Sequence, residues 1–392
     1  MPRRPHLLGL DRNIVLLGVT SLCNDISSEM IYPLLPTFLT IVLGSSPAYI
    51  GLIEGVADST ASVVKLLSGR LSDRLARRKG LVVAGYAIAT VARPLVAAAT
   101  APWHVLVLRF SDRTGKGLRA APRDALLAES SPASAWGRSF GFHRAMDHLG
   151  AVIGPLIAFL LMSVFAERYR LVFALASIPG VLALAVVAFG VREPGHTLAP
   201  APANSTWQAP SRPLRNFFVA LLIFTLGNST DAFLLLRARQ LGVSVAALPL
   251  LWSLLHVTKS VSSIPGSGLS DRLGRKWIIF LGWVIYALVY LGFAWATTEL
   301  EIWMLFASYG LFFGLTEGTE RALVADLAPT QRGAAFGYYH LIIGIAALPA
   351  SVMFGLLWGW GGPALAFTVG AALAGLGAMV FVLLVPQRAS QS

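Results

Sequence analysis

Charge is scarce in this chain. Only 13% of its 392 residues are Asp, Glu, Lys or Arg, about half the ~25% of an average soluble domain. A surface that meets water on every side needs more, so a soluble globular enzyme and a disordered chain are both excluded. Cysteine is almost missing. Cys23 stands alone and cannot close an internal disulfide, which excludes a disulfide-stapled scaffold. There is no His-Glu-x-x-His, no cysteine pair and no Walker-type phosphate loop, so no metal and no cofactor are expected and ATP is not the expected power source.

Apolar residues are abundant, at 56% of the chain, and the mean hydropathy is +0.69. A bilayer crossing takes about 20 apolar residues in a helix. Read along the chain, hydropathy gives twelve such segments: 13–42, 48–68, 80–101, 103–127, 138–165, 170–190, 215–236, 246–267, 277–297, 302–325, 333–358 and 363–385. The expected fold is an all-α membrane protein of 12 transmembrane helices.

The 31 basic residues fix an orientation. With the N-terminus inside, and a residue at a span's first position counted with the adjoining loop, 17 fall in inside segments, 4 in outside loops and 10 within the spans. Positive charge collects on the cytoplasmic side, so both termini are expected there. The formal net charge of +12 then reflects topology, and no nucleic-acid partner is expected. The ten basic residues inside spans are matched by ten acids. Each charge facing lipid costs roughly 2.5–3.5 kcal/mol, so these twenty groups are expected to face one another or water around a polar cavity.

The sequence repeats at half its length. Leu71-Ser72-Asp73-Arg74-Leu75-Ala76-Arg77-Arg78 returns 198 residues later as Leu269-Ser270-Asp271-Arg272-Leu273-Gly274-Arg275-Lys276. Both copies lie between the second and third segments of their half. The expected organisation is a six-helix half at 1–190, a Pro- and Ala-rich cytoplasmic linker at 191–214 and a second six-helix half at 215–392.

At this point the chain resembles the major facilitator superfamily. Gly69 and Arg70 followed by the first repeat copy look like that family's loop signature between helices 2 and 3. The resemblance makes Gly69, Asp73, Arg74, Arg77, Arg78, Asp271, Arg272 and Arg275 a gating element. Arg113-Thr114-Gly115-Lys116-Gly117 resembles the helix 4 motif, with Lys116 where Gln is usual, and implies a proton-transfer role for Arg113. Gly150, Gly154 and Pro155 resemble the helix 5 motif associated with antiporters.

The residues themselves suggest chemistry. Arg109, Arg113, Lys116, Arg119 and Arg123 recur at steps of three or four, hence on one helical face. They read either as an anion-attracting wall or as a set of structural ion pairs. Asp25 and Glu29 are four apart on one face, and a poorly hydrated site disfavours ionising both, as a proton carrier requires. Glu317 and Arg321 are spaced to pair within one helix, which leaves Glu320 without a local partner. Glu320 and the isolated Asp231 join Asp25, Glu29 and Arg113 as proton-coupling candidates. Arg109, Lys116, Arg119, Glu317 and Arg321 are the substrate-cavity candidates. His148, His256 and His340 read as proton carriers or as packing residues.

The expectation is a secondary active transporter of the inner membrane, without enzymatic activity. Its two halves would rock about a central cavity and carry a small-molecule substrate in exchange for protons, as export. Uptake of an organic anion with protons is the alternative, and a non-transporting sensor or enzyme is a remoter one. Its partners are then the solute, protons and the lipid bilayer, and the chain is expected to act as a monomer.

Overall fold

The computed structural model describes residues 6–7, 10–74, 78–131, 135–193, 210–328 and 332–386. A two-residue antiparallel pairing of His6–Leu7 (β1) with Leu10–Asp11 (β2) comes first, and the other regular elements among the described residues are helical. We number the crossings in order: α1, Arg12–Val42; α2, Pro47–Arg74; α3, Lys79–Ala98; α4, Pro102–Glu129; α5, Trp136–Val164; α6, Tyr169–Gly190. In the second half they are α7, Arg212–Gln240; α8, Leu248–Leu273; α9, Arg275–Trp295; α10, Glu299–Leu327. The last two, α11 (332–361) and α12 (363–384), form one continuous stretch that folds back at Gly362.

Local chemistry sets these ends. Asp11 caps α1 by accepting from the Asn13 amide at 2.9 Å. Thr298 and Glu301 form a reciprocal capping box at the start of α10, which satisfies two otherwise orphaned amides. Gly274 (φ 89°) separates α8 from α9, and Gly362 (φ 78°) separates α11 from α12. Both conformations are strained for a residue with a Cβ. Eight spans are long and apolar enough to cross a bilayer by composition, one of them covering both α11 and α12. The charge-bearing α2, α4 and α10 complete the twelve. Exposed tryptophans stand at helix ends: Trp103 on α4, Trp277 and Trp295 on α9, Trp360 on α11. That is where an aromatic ring anchors in the bilayer interface.

Several helices depart from regular continuous spans: α3 ends in a 3-10 turn at Val96–Ala98 and α6 in a π turn at Val186–Gly190, and two more bear on the site. α1 finishes in a 3-10 turn at Tyr32–Leu34 and a π turn at Phe38–Val42. α7 is interrupted: its first part ends at Gly227, its second starts at Ala232, and 228–231 are not helical.

By packing, the chain divides into two units, Met1–Leu35 with Thr60–Ser205, and Pro36–Ser59 with Thr206–Ser392. In the first unit α1 lies along α5 and α3 along α4 and α6. In the second, α7 lies along the α11–α12 stretch, and α9 along α10 and the same stretch. This matches the pairing in the first unit. Residues 36–59 belong with the second unit because small residues let α2 approach α11 closely. A Cβ on Gly55 would meet Leu348 Cα at 2.9 Å, one on Gly355 would meet the Pro47 carbonyl oxygen at 2.6 Å, and Ser59 Oγ donates to the Gly344 carbonyl at 2.6 Å. Most of the expected linker lies outside the described residues.

Candidate functional site

In the first unit the helix 5 motif lies against the paired acids of α1. A Cβ on Gly150 would come within 2.9 Å of Asp25 Cβ and 2.7 Å of the Leu22 carbonyl oxygen. One on Gly154 would come within 3.0 Å of Glu29 Cβ and 2.8 Å of the Ile26 carbonyl oxygen. The two glycines remove the side chains that would hold α1 and α5 apart. Pro155 deletes one helical hydrogen bond in the next turn of α5 and permits bending there. Asp25 accepts from Asn24 Nδ2 at 2.9 Å, and Glu29 accepts from Ser28 Oγ at 3.2 Å.

The basic residues of α4 separate by burial. Arg109 and Arg119 are buried, Arg113 and Arg123 are half-buried and Lys116 is exposed. Asp112 is the buried counter-charge. It accepts from Arg93 Nε at 2.9 Å and lies 3.7 Å from Arg109 Nη1. Arg93 also donates to the Asn24 backbone carbonyl (2.9 Å) and side-chain oxygen (3.0 Å), so it bolts α3 to α1 and α4. The guanidinium of Arg109 sits 5.5 Å from the Tyr32 ring centroid and that of Arg119 4.6 Å from the Tyr86 centroid. Arg113 follows Asp112 directly and its charge acts on that carboxylate. Lys116 faces Asp25 electrostatically.

In the second unit Glu320 is buried at 6% exposure. Its carboxylate accepts from Trp283 Nε1 and from the Tyr339 hydroxyl, both at 2.8 Å. The expected lack of a local partner is therefore met by two neutral donors from α9 and α11. Glu317 pairs with Arg321 at 3.0 Å as its spacing predicted, and also with Lys259 of α8 at 2.9 Å. Lys259 lies 4.4 Å from the Phe313 ring centroid. Asp231 stands at the interruption of α7 and accepts from the Tyr309 hydroxyl at 2.7 Å. Around the same interruption Tyr286 donates to the Gly227 carbonyl and Asn228 Oδ1, each at 3.2 Å, and the Thr230 amide donates to Ser351 Oγ at 3.2 Å. Two backbone groups at the interruption, the Gly227 carbonyl and the Thr230 amide, are thus satisfied by side chains of α9 and α11, as an apolar interior favours.

The repeated loop reaches acids that the sequence did not single out. Arg78 pairs with Glu129 at the end of α4, and Arg275 pairs with Asp326 at the end of α10. Arg275 Nη1 also donates to the Ala322 carbonyl at 2.6 Å. Glu193, just past α6, accepts from the Arg78 and Lys79 amides at 2.8 and 3.0 Å and so caps α3. Arg272 is exposed, and a Cβ on Gly69 would meet only Ala121 at 3.6 Å. The side chains of Asp73, Arg74 and Asp271, and Arg77 as a whole, lie outside the described residues. Sequence reasoning also passed over His143, whose Nδ1 is 3.6 Å from Asp147 Oδ2. Their i, i+4 spacing was the available signal. No group of three or more metal-ligating side chains occurs among the described residues.

The sequence profile described as Major Facilitator Superfamily matches residues 17–237 and again 216–392. The chain belongs to the major facilitator superfamily. An uncharacterized MFS-type transporter of Methanocaldococcus jannaschii is 34% identical over 378 residues, 93% of each chain. The multidrug resistance protein MdtG of Salmonella arizonae is 28% identical over 161 residues, 40% of this chain and 39% of that one. Among solved structures, an aspartate-to-alanine mutant of the nucleoside transporter NupG superposes with a TM-score of 0.81 at 13% identity, over 95% of this chain and 100% of that one. A bacterial homologue of the lysosomal transporter Spinster gives 0.71 at 15% identity, over 95% and 94%. These likenesses show the fold. The protein is a multi-pass membrane transporter of this superfamily, with two pseudo-symmetric six-helix halves.

Proposed function

We propose that this transporter exports a small solute in exchange for protons, by alternating access of the halves 1–190 and 215–392 about the linker 191–214. The observation that carries the reading is Glu320: a buried carboxylate whose hydrogen-bond donors, Trp283 and Tyr339, are both neutral. Such a group can gain or lose a proton without breaking an ion pair, because the Tyr339 hydroxyl can turn from donor to acceptor. Asp25 and Glu29 add a pair of carboxylates in the other unit. Export is supported by the helix 5 motif and by the partial similarity to a multidrug resistance protein. The basic excess at chain ends and loops supports cytoplasmic termini in an inner membrane, with the chain acting as a monomer.

Proton-coupled uptake of an organic anion is the second reading. It is favoured by the excess of Arg109, Arg113, Lys116, Arg119 and Arg123 over Asp112, Asp124 and Glu129 on α4. Everted vesicles with an acid lumen separate the two. Panels of organic anions and cations are added while lumen pH is followed. Lumen alkalinisation on adding a solute supports exchange, hence export. Proton-driven uptake into whole cells, with no lumen response in vesicles, favours the second reading.

A further inference from the structure

The seam between α1 and α5 holds more titratable groups than the two acids already described. The contacts along it advance in one direction on both helices. Gly18 meets Phe142, Ser21 meets Asp147, Asp25 meets Gly150 and Glu29 meets Gly154. Each step is about one helical turn, roughly 6 Å for four residues at 1.5 Å each. On this seam His143 and Asp147 stand one turn apart on α5, and Asp25 and Glu29 one turn apart on α1. Ser21, one turn before Asp25, donates its hydroxyl to Asp147 Oδ1. The other carboxylate oxygen of Asp147 lies 3.6 Å from His143 Nδ1. His143 is 4% exposed, and its Nε2 is buried with no hydrogen-bond partner among the described residues.

We propose that His143, Asp147 and Ser21 extend the Asp25–Glu29 pair into a proton-conducting ladder along the α1–α5 seam, with His143 as its terminal group. This inference rests on the reading that transport is proton-coupled. The transfer balances without any further reactant. The neutral ring carries its proton on Nδ1, facing Asp147, and leaves the Nε2 lone pair open. A proton arriving at Nε2 makes the imidazolium. The Nδ1 proton then passes to the Asp147 carboxylate, which becomes the neutral acid, and the ring is neutral again as its other tautomer. Asp147 next hands the proton towards Asp25 past the Ser21 hydroxyl and returns to carboxylate. Return of the proton by the same steps in the opposite order releases it from Nε2 and restores the starting tautomer, so the ladder loads and unloads one proton per cycle at its His143 end.

The surrounding charges are set for this traffic. His143 is faced from α4 by Arg123 and Asp124, and from its own helix by Arg144 and Asp147. Arg123 and Asp124 bond each other, at 3.1 and 3.2 Å, which leaves Asp147 as the carboxylate in reach of the ring. Asp25 is faced by Asp147 of α5, by Glu29 of its own helix and by Lys116 of α4. Three carboxylates therefore share one neighbourhood with Lys116, and Arg123 of α4 also acts on Asp147; a single mobile proton lowers the repulsion among the three wherever it sits.

Infrared difference spectra against pH, recorded on the full-length protein in lipid with isotope-labelled histidine, test the ladder without a transported solute. In the wild type the part of the imidazole signal that His143→Gln removes is expected to titrate with the same midpoint as the carboxyl bands which that substitution alters. His143→Gln should remove the imidazole component and move the carboxyl midpoint by about one pH unit. Ser21→Ala, which changes little volume, should also move the carboxyl midpoint. Carboxyl bands that titrate identically in the wild type and both variants overturn the proposal. So does solute-driven proton movement in everted vesicles that His143→Gln leaves unchanged. A common midpoint in protein whose vesicles move no protons with any solute supports the ladder and overturns the coupling reading.

Discussion

Arg78 and Glu129 are fifty-one residues apart and pair at one end of the first unit; Arg275 and Asp326 have the same separation and pair in the second. The duplicated loop thus brings an arginine onto the end of the fourth helix of each half. The two pairs differ in burial. Arg78 and Glu129 are 11% and 3% exposed, Arg275 and Asp326 29% and 43%. Removing one member of a buried pair leaves an uncompensated charge, whereas an exposed pair contributes little. Glu129→Gln should therefore cost about 3 kcal/mol and Asp326→Asn less than about 1 kcal/mol. Thermal unfolding of the two variants in detergent checks the contrast, and equal losses would refute it.

Gly154 leaves no space for a side chain between α1 and α5. Gly154→Ala should push Glu29 and the Ile26 backbone away and cost about 1–3 kcal/mol. Gly375, where a Cβ would meet nothing within 4 Å, is the control. Alanine there should leave the melting temperature within a degree or two of wild type.

Glu320→Gln keeps the shape of the side chain and an oxygen for Trp283. Stability should change by no more than about 1 kcal/mol, while proton-driven flux falls at least about tenfold. Solute–solute exchange, which moves no protons, should persist. Loss of both activities together would show that Glu320 binds solute and does not carry the proton.

Arg113→Lys preserves the charge and removes the planar fork of donors. Transport should lose its pH dependence at unchanged expression. A normal pH profile in the variant would remove Arg113 from the coupling machinery.

The crossings were legible because each is a run of about twenty apolar residues; their ends were less so, because the caps Asp11 and Thr298 and the turn glycines Gly274 and Gly362 lie outside the apolar runs. The pairing of Glu317 with Arg321 was legible from spacing within one helix. Lys259, fifty-eight positions before Glu317, had no such signal. The interruption of α7 was harder to see. Asn228-Ser229-Thr230-Asp231 is a polar run inside an apolar segment, but whether it unwinds depends on Tyr286 and Ser351, which supply the replacement hydrogen bonds.

The sequence alone determined the solvent this protein folds in, its twelve crossings and its internal repeat. Those follow from hydropathy and charge summed along the chain, and burial in lipid acts on each helix almost independently. Only the tertiary structure decided which charges meet. Glu320 found Trp283 and Tyr339, Arg93 found Asp112 and Asn24, and Asp147 came between Ser21 and His143, because helices remote in sequence are brought together by glycines at their contacts. Hydrogen bonds of about 3 Å depend on that packing, and no spacing along one helix encodes them.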